Sequence, residues 1–506
     1  MAKNKKVEIS LEEKLEKALV PVEEQPYKIP DNWIWTRLGE ISKLSGGSGF
    51  PEKYQGFLDK NIPFYKVGSL KNIDDNFYIE NSENYIDENI LDKIKAKLFP
   101  KNTIIFAKIG EAIKLNRRAI LKENSCIDNN LMALVSNSSC YFRYVYFWLK
   151  KEDLYKYSQA TTVPSIRQST LEELKFPLSP LNEQKRIVEK LDFLFEKTKR
   201  AKEIIEEIKV DIENRKISIL DRAFKGVLTS KWRNENKVSD VKELLKSIND
   251  EKIKKWEEDC LRAEKNGNKK PKKPIIREIE DMIVPVDEQP YKLPDSWVWV
   301  RLRDIGVWGA GATPLKSNSE FYINATIPWL LTGDLNDSYI TEIPNKISEI
   351  ALEKTSVKLN PKGSILIAMY GATIGKVGIL TFPAATNQAC CACSQLFQTE
   401  KMYLFNFLIL ERKNFISRAV GGAQPNISKE KIISTPIPLP PLEEQQEIVR
   451  ILDEVLENEN KVKELLELEE RIDILEKSIL NKAFKGELGT QNSSDEPAIE
   501  LLKSIL

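Results

Sequence analysis

The chain has 506 residues, 41% hydrophobic and 30% charged, with a net charge of +1. That length exceeds one ordinary core and implies about three or four domains, and the composition excludes a disordered chain. The balanced charge gives no global pull toward nucleic acid, so any basic surface must be local.

There is no His, which removes the commonest general base and every His-based triad or metal site. The 6 Cys are irregularly placed, which suits a reducing cytoplasm better than a disulfide framework. No apolar run approaches the length of a membrane span.

In chain order, residues 1–20 predict one amphipathic helix carrying Leu11, Leu15 and Leu19. Residues 21–181 form a β-rich module. It opens on a proline-rich lead-in (Pro21, Pro26, Pro30) followed by the alternating pair Trp33 and Trp35, which reads as a strand. Residues 182–228 predict a long helix. Ile187, Leu191, Leu194, Ala201, Ile205, Ile208, Ile212 and Ile219 recur at spacings of three and four, with Thr198 and Arg215 as polar steps. That is a heptad seam of a coiled coil, about 34 residues or about 50 Å long. Val188 and Phe195 form a second stripe beside it, suited to helices of a partner or to the chain's own module.

Residues 229–284 read as a helical, basic linker, after which everything returns. The lead-in recurs at Pro285, Pro290 and Pro294 with Trp297 and Trp299, opening a second module over 285–442. A second spacer helix spans 443–488, its seam built from Ile448, Leu452, Val455, Val462, Leu465, Leu468, Ile472, Leu475 and Ile479. Val449 and Leu456 match Val188 and Phe195. Both helices end Ala-Phe-Lys-Gly, at Gly226 and Gly486.

The tail, 489–506, repeats the linker's Glu243–Ile248 at Glu500–Ile505. The repeat is therefore cyclic and cut inside one linker, which implies neighbouring termini across a pseudo-two-fold axis. The expected fold class is α+β: two mixed α/β domains joined by two long antiparallel coiled-coil helices.

Candidate chemistry is sparse. The stretch from Gly371 to Lys376 is one residue short of a phosphate loop and places Val377 where the metal-binding hydroxyl must stand, so a tight turn presenting Lys376 is the better reading. Cys390, Cys391 and Cys393 lack a second ligand cluster. The two Trp pairs could stack on bases, although strand packing explains them as well.

Binding signals are stronger. Lys101, Lys108, Lys114, Arg117, Arg118 and Lys122 form a basic run suited to phosphate contact. Equivalent polar turns carry Thr161, Thr162, Ser165, Arg167 and Gln168 in one module and Gln424 and Asn426 in the other, residue types that read base edges.

The duplicated Glu-Gln…Ile-Val helix starts, the heptad helices and the Ala-Phe-Lys-Gly endings together resemble the specificity subunit of a type I restriction-modification enzyme. Gly311 to Pro314, Tyr370 to Lys376 and Leu228 to Arg233 resemble recurrent segments of that family.

The resemblance implies two target-recognition domains, each reading half of a split double-stranded DNA site, with the helices setting the spacing. It adds Thr313, Tyr370 and Thr373 to the DNA-contact candidates. It also implies a chain with no catalytic or metal site and no cofactor, at work in a prokaryotic cytoplasm. Its partners would be two modification subunits that methylate adenine with S-adenosylmethionine, and restriction subunits that use ATP and magnesium. The alternatives are a specificity subunit of another restriction-methylation type, and a coiled-coil scaffold with no DNA role.

Overall fold

A computed structural model describes residues 10–159, 163–237, 239–422, 424–457 and 461–506. The chain divides into two compact units, one made of 1–206 with 465–506 and the other of 207–464.

The first unit is built on a four-stranded antiparallel sheet in the order Ser42–Gly46, Leu131–Ser136, Ile104–Ala107, Arg118–Ile120. All four residues of Ile104–Ala107 are buried, as expected of a central strand covered on both faces. A second, mixed sheet runs Tyr85–Ile86, Ile62–Tyr65, Ser125–Ile127, Leu98–Phe99. The helix Phe142–Lys151 packs Tyr144, Phe147 and Trp148 into the core. The second unit repeats this plan. Its main sheet runs Gly306–Ala310, Cys390–Leu396, Ile365–Ala368, Val377–Leu380, Ser338–Ile340, and its core helix is Lys401–Leu410.

The Trp-x-Trp segments are strands, each closing a two-stranded ribbon with the segment just before a long helix: Ile34–Arg37 with Lys175–Leu178, and Val298–Arg301 with Pro436–Leu439. All four indoles are buried, which removes them as base-stacking platforms. Trp33 Nε1 donates to Glu183 at 2.8 Å, and Trp297 Nε1 donates to Glu444 at 2.8 Å.

The first long helix runs Leu181–Phe224, 44 residues and about ten longer than the seam alone suggests. The second runs Leu442–Glu457 and Lys461–Phe484. Gly226 and Gly486 end them in the left-handed region, at φ 70° and 73°, where a Cβ is costly. The Val227 amide then returns to the Arg222 carbonyl at 2.9 Å, and the Glu487 amide to that of Lys482 at 2.8 Å. Tyr27 and Tyr291 hydroxyls donate to the carbonyls of Phe484 and Phe224.

Each unit thus takes the start of one long helix and the end of the other. In the first, Thr198 pairs with Glu476 at 2.7 Å and Lys202 with Asp473 at 2.8 Å, so the two helices run antiparallel there. Ile187, Val188 and Leu191 join Ile479, Leu480 and Ala483 in one core. In the second, Leu220, Ala223 and Phe224 meet Ile448 and Leu452.

The seam is buried toward its ends and exposed mid-helix: Ile208, Leu468 and Leu475 are 40%, 42% and 50% exposed. Ile205 is buried, Leu194, Val455 and Leu465 are half-buried, and the side chain of Leu456 lies outside the described residues. Among the described side chains, the second stripe is covered by the chain itself. Val188 is buried, Phe195 stacks on Phe147 with centroids 5.7 Å apart, and Val449 packs on the second core.

The termini of the described chain meet in the first unit. Helix Leu11–Ala18 packs on Ala498–Ile505, Lys14 Nζ reaches the Leu506 carbonyl at 2.9 Å, and the Ala498 amide donates to that of Asn32 at 3.0 Å.

Candidate nucleic-acid interface

At one end of each main sheet four segments converge: the exit of the first strand, the loop between two central strands, the entry to the longest strand, and the polar turn before the last short helix. In the first unit, Gly47 and Ser48 amides donate to Leu131 and Ile127 carbonyls at 3.2 and 2.9 Å. Lys108 donates to Asn130 at 2.9 Å, Gly110 to Pro164 at 2.7 Å and Ile166 to Lys108 at 2.9 Å.

In the second unit the same bonds return as Gly311 to Cys390 and Ala312 to Thr386, both 3.0 Å. With them come Met369 to Ala389 at 2.8 Å, Gly371 to Pro425 at 2.8 Å and Ile427 to Met369 at 2.9 Å. Side chains on Gly47 or Gly311 would collide with the carbonyls of Asp128 or Asn387, so glycine is required for this close approach. The backbone frame is duplicated while the side chains it presents differ.

In the first unit this end is cationic. Lys108 lies across Gly46, and Lys97 donates to Ser45 Oγ at 2.8 Å and to the Gly46 carbonyl at 3.3 Å. Burial, and then the nearby Lys97 charge, push the Lys108 ammonium below its ordinary pKa. Two cations held this close are what an incoming phosphate would relieve. Arg117 is exposed, and Lys114 pairs with Glu111 at 2.7 Å. Ser165 exchanges backbone bonds with Gln159. Arg167 and Gln168 are exposed just beyond the turn, with Gln168 Nε2 donating to Glu172 at 2.8 Å. Thr161 and Thr162 lie outside the described residues.

Two expectations fail here. Arg118 is buried, its guanidinium donating to the Asn116 carbonyl and side chain at 2.9 Å and to the Glu152 carbonyl at 2.6 Å, so it is not part of the exposed surface where these segments converge. Nor does the basic run form one patch. Lys101 and Lys122 flank the opposite end of the two strands, because a hairpin separates residues that a linear count puts together.

At the same end the second unit presents mostly uncharged side chains. Thr313 Oγ1 hydrogen-bonds Gln388, Tyr370 is 41% exposed and bridges Asn426, and Gln424 and Asn426 are exposed. Thr373 Oγ1 is tied back to the Tyr370 carbonyl at 2.9 Å, which fixes the turn that carries half-buried Lys376. Thr386 Oγ1 and Asn387 Oδ1 are buried there without a hydrogen-bond partner. Amide and hydroxyl side chains with one lysine can read base edges and touch a phosphate.

Sequence reasoning missed Lys97 and Gln388. Gln388 could have been found by extending the match between Ser125–Ile127 and Ala384–Thr386 by two residues; Lys97 has no sequence signal. The three C-terminal cysteines are buried in their strand, and among the described residues no group of three or more Cys, Asp or Glu could hold a metal ion.

Known proteins bear on this arrangement. The sequence profile of the type I restriction modification DNA specificity domain matches residues 30–210 and 294–470, one match for each recognition module. The chain is 24% identical over 482 residues to the type I restriction enzyme EcoDI specificity subunit of Escherichia coli, covering 93% of this chain and 92% of that protein. A local match to the EcoR124I/EcoR124II specificity subunit of the same organism reaches 34% over 161 residues, which is 31% of this chain and 40% of that protein. A solved chain from a structure of complex assembly in the type I R-M system shares the fold. Its TM-score is 0.63 at 20% identity, covering 92% of this chain and 100% of that one. With both modules matched and the duplicated interface in place, the chain belongs to the family of type I restriction-modification DNA specificity subunits.

Proposed function

We propose that each unit reads one half of a bipartite double-stranded DNA site through its four converging segments. The chain is the non-catalytic, DNA-recognising component of a type I system. The observation that carries the finer reading is the duplicated backbone frame with divergent side chains. One scaffold holds two different sets of readers, cationic around Lys97 and Lys108 and amide-rich around Gln388, Gln424 and Asn426.

The long helices set the distance between half-sites. Their exposed mid-helix apolar residues Ile208, Leu468 and Leu475 offer docking for helices of two modification subunits, which bring S-adenosylmethionine. Restriction subunits, with ATP and magnesium, join through them. No helix among the described residues is long and apolar enough to cross a membrane, and a site on genomic DNA suits a cytoplasmic protein.

The test exchanges residues 31–180 for those of a relative and maps methylation in cells carrying the modification subunits. One half of the methylated site should change and the other should stay. A change in both halves, or in neither, would remove the assignment of one half-site to each unit.

A further inference from the structure

Beside the interface of the first unit lies a cavity of about 260 Å³, lined by Leu70, Lys71, Ile73, Phe77, Tyr146 and Lys150 together with Asn116, Arg117 and Arg118. Its charged lining is entirely cationic. Lys150 Nζ sits 4.2 Å from the Phe77 ring centroid and 4.8 Å from that of Phe195. The acid that acts on it, Glu476, is already engaged by Thr198 and Lys202. The Arg118 guanidinium is buried and bonded only to neutral groups, and its Nε has no partner. Burial lowers both cations, Lys150 to about 8 and Arg118 to about 10, and the neighbouring acids, Glu476 for Lys150 and Glu152 and Asp153 for Arg118, offset it only in part.

The duplicated unit supplies an internal control. Phe106 faces Arg118 across the central strands as Ile367 faces Val377. On the core helices, Tyr144 bonds the Pro177 carbonyl as Tyr403 bonds that of Pro438, and the Tyr141 amide bonds Gln184 as that of Glu400 bonds Gln445. Both registers share an offset of 259, which pairs Arg118 with Val377 and Lys150 with Ile409. Val377 and Ile409 are both buried and apolar. The third cation, Lys71, corresponds to Asn336, at the offset of 265 that relates the parallel strands Ile62–Tyr65 and Ile327–Leu330.

The scaffold therefore packs aliphatic residues where Arg118 and Lys150 stand and carries a neutral amide in place of Lys71, and buried cations there are a liability unless something neutralises them. A carboxylate needs only one forked guanidinium. Three cations on separate elements, around a cavity with room for a phosphate and its sugar, suit an anion with several oxygens.

We propose that this cavity binds the phosphate of a phosphate ester, between Lys71, Arg118 and Lys150 with Phe77 and Tyr146 as its apolar wall. The phosphate comes either from the backbone of flanking DNA or from a free small ester, and two arms of one experiment tell them apart. Only the DNA arm rests on the reading of the units as DNA readers.

Deoxyribose 5-phosphate and inorganic phosphate are titrated into the full chain by calorimetry. Binding of a DNA duplex by the complex with modification subunits is followed against salt. Wild type is compared with Lys150→Met, which keeps the stem between the two rings, and with Lys71→Ala at the exposed rim. Saturable binding of the ester that weakens at least tenfold in both variants assigns the cavity to a free ester. A salt slope reduced by about one in both, without ester binding, assigns it to a DNA phosphate. No saturable binding together with wild-type slopes in both variants overturns the proposal. A wild-type complex that binds no duplex at all would sink the DNA-reading assignment, while the ester titration would still decide the cavity.

Discussion

Glu183 and Glu444 are carboxylates removed from solvent at equivalent places, and each is held by an indole and a threonine. They differ in their counter-charge. Arg233, just beyond the first long helix, reaches Glu444 at 2.8 Å, while the first unit has no arginine at that place and the arginine nearest Glu183 in sequence, Arg186, is turned to Asp495.

Burial raises the pKa of Glu183 above its ordinary value, against the opposing hydrogen bonds from Trp33 and Thr490. A raised acid is protonated at no cost below the ordinary glutamate range and is ionised at a cost above its folded pKa. Its contribution to stability is therefore full at low pH and is lost as pH rises through the raised value. Thermal unfolding of the first unit should show this decline, and Glu183→Gln should flatten it. Identical pH profiles would mean the carboxylate is not the titrating group.

At the interface, Lys108→Ala and Lys376→Ala should each lower the salt slope of DNA binding by about one, with little change in stability. Arg118→Ala should instead cost roughly 2–3 kcal/mol in stability, since it leaves buried carbonyls without their donor. The sequence could not separate Arg117 from Arg118, because nothing local says that Arg117 stays exposed just ahead of the strand while Arg118 opens it with its side chain inward.

The long helices show what periodicity can and cannot specify. Their existence and their glycine stops follow from heptad spacing and from the need for φ > 0 after Lys225 and Lys485. What covers the stripe does not follow, because covering depends on distant residues. Phe195 meets Phe147 and Lys150, while Ile208 and Leu475 stay exposed.

If the helices space the readers, inserting four residues after Ile212 adds about 6 Å to the rod. The spacer between half-sites should then grow by about one or two base pairs, with the bases read at either end unchanged. Four residues roughly preserve the apolar face, whereas two would rotate it away. An active four-residue variant that methylates the original spacer would show that the helices do not measure the site.

At the scale of the whole chain, the cyclic repeat was legible because the end of the sequence copies the linker. The interface was only partly legible, since its frame is made of backbone bonds between segments far apart in sequence.

The division into units also carries an order in time. The second unit is one continuous stretch, 207–464, complete once those residues have left the ribosome. The first requires 465–506, whose Phe484 packs on Tyr144 with centroids 5.0 Å apart and whose Leu502 enters its core. Although synthesised first, it waits for the last segment to be made. Truncation at residue 464 should leave a protease-resistant second unit and a digestible first one, measurable by limited proteolysis of stalled nascent chains. Protection of both would show that the first unit closes without its C-terminal helices. Because half of the reader depends on the final residues, a prematurely ended chain would carry at most one finished reader, and a split site cannot be selected by one.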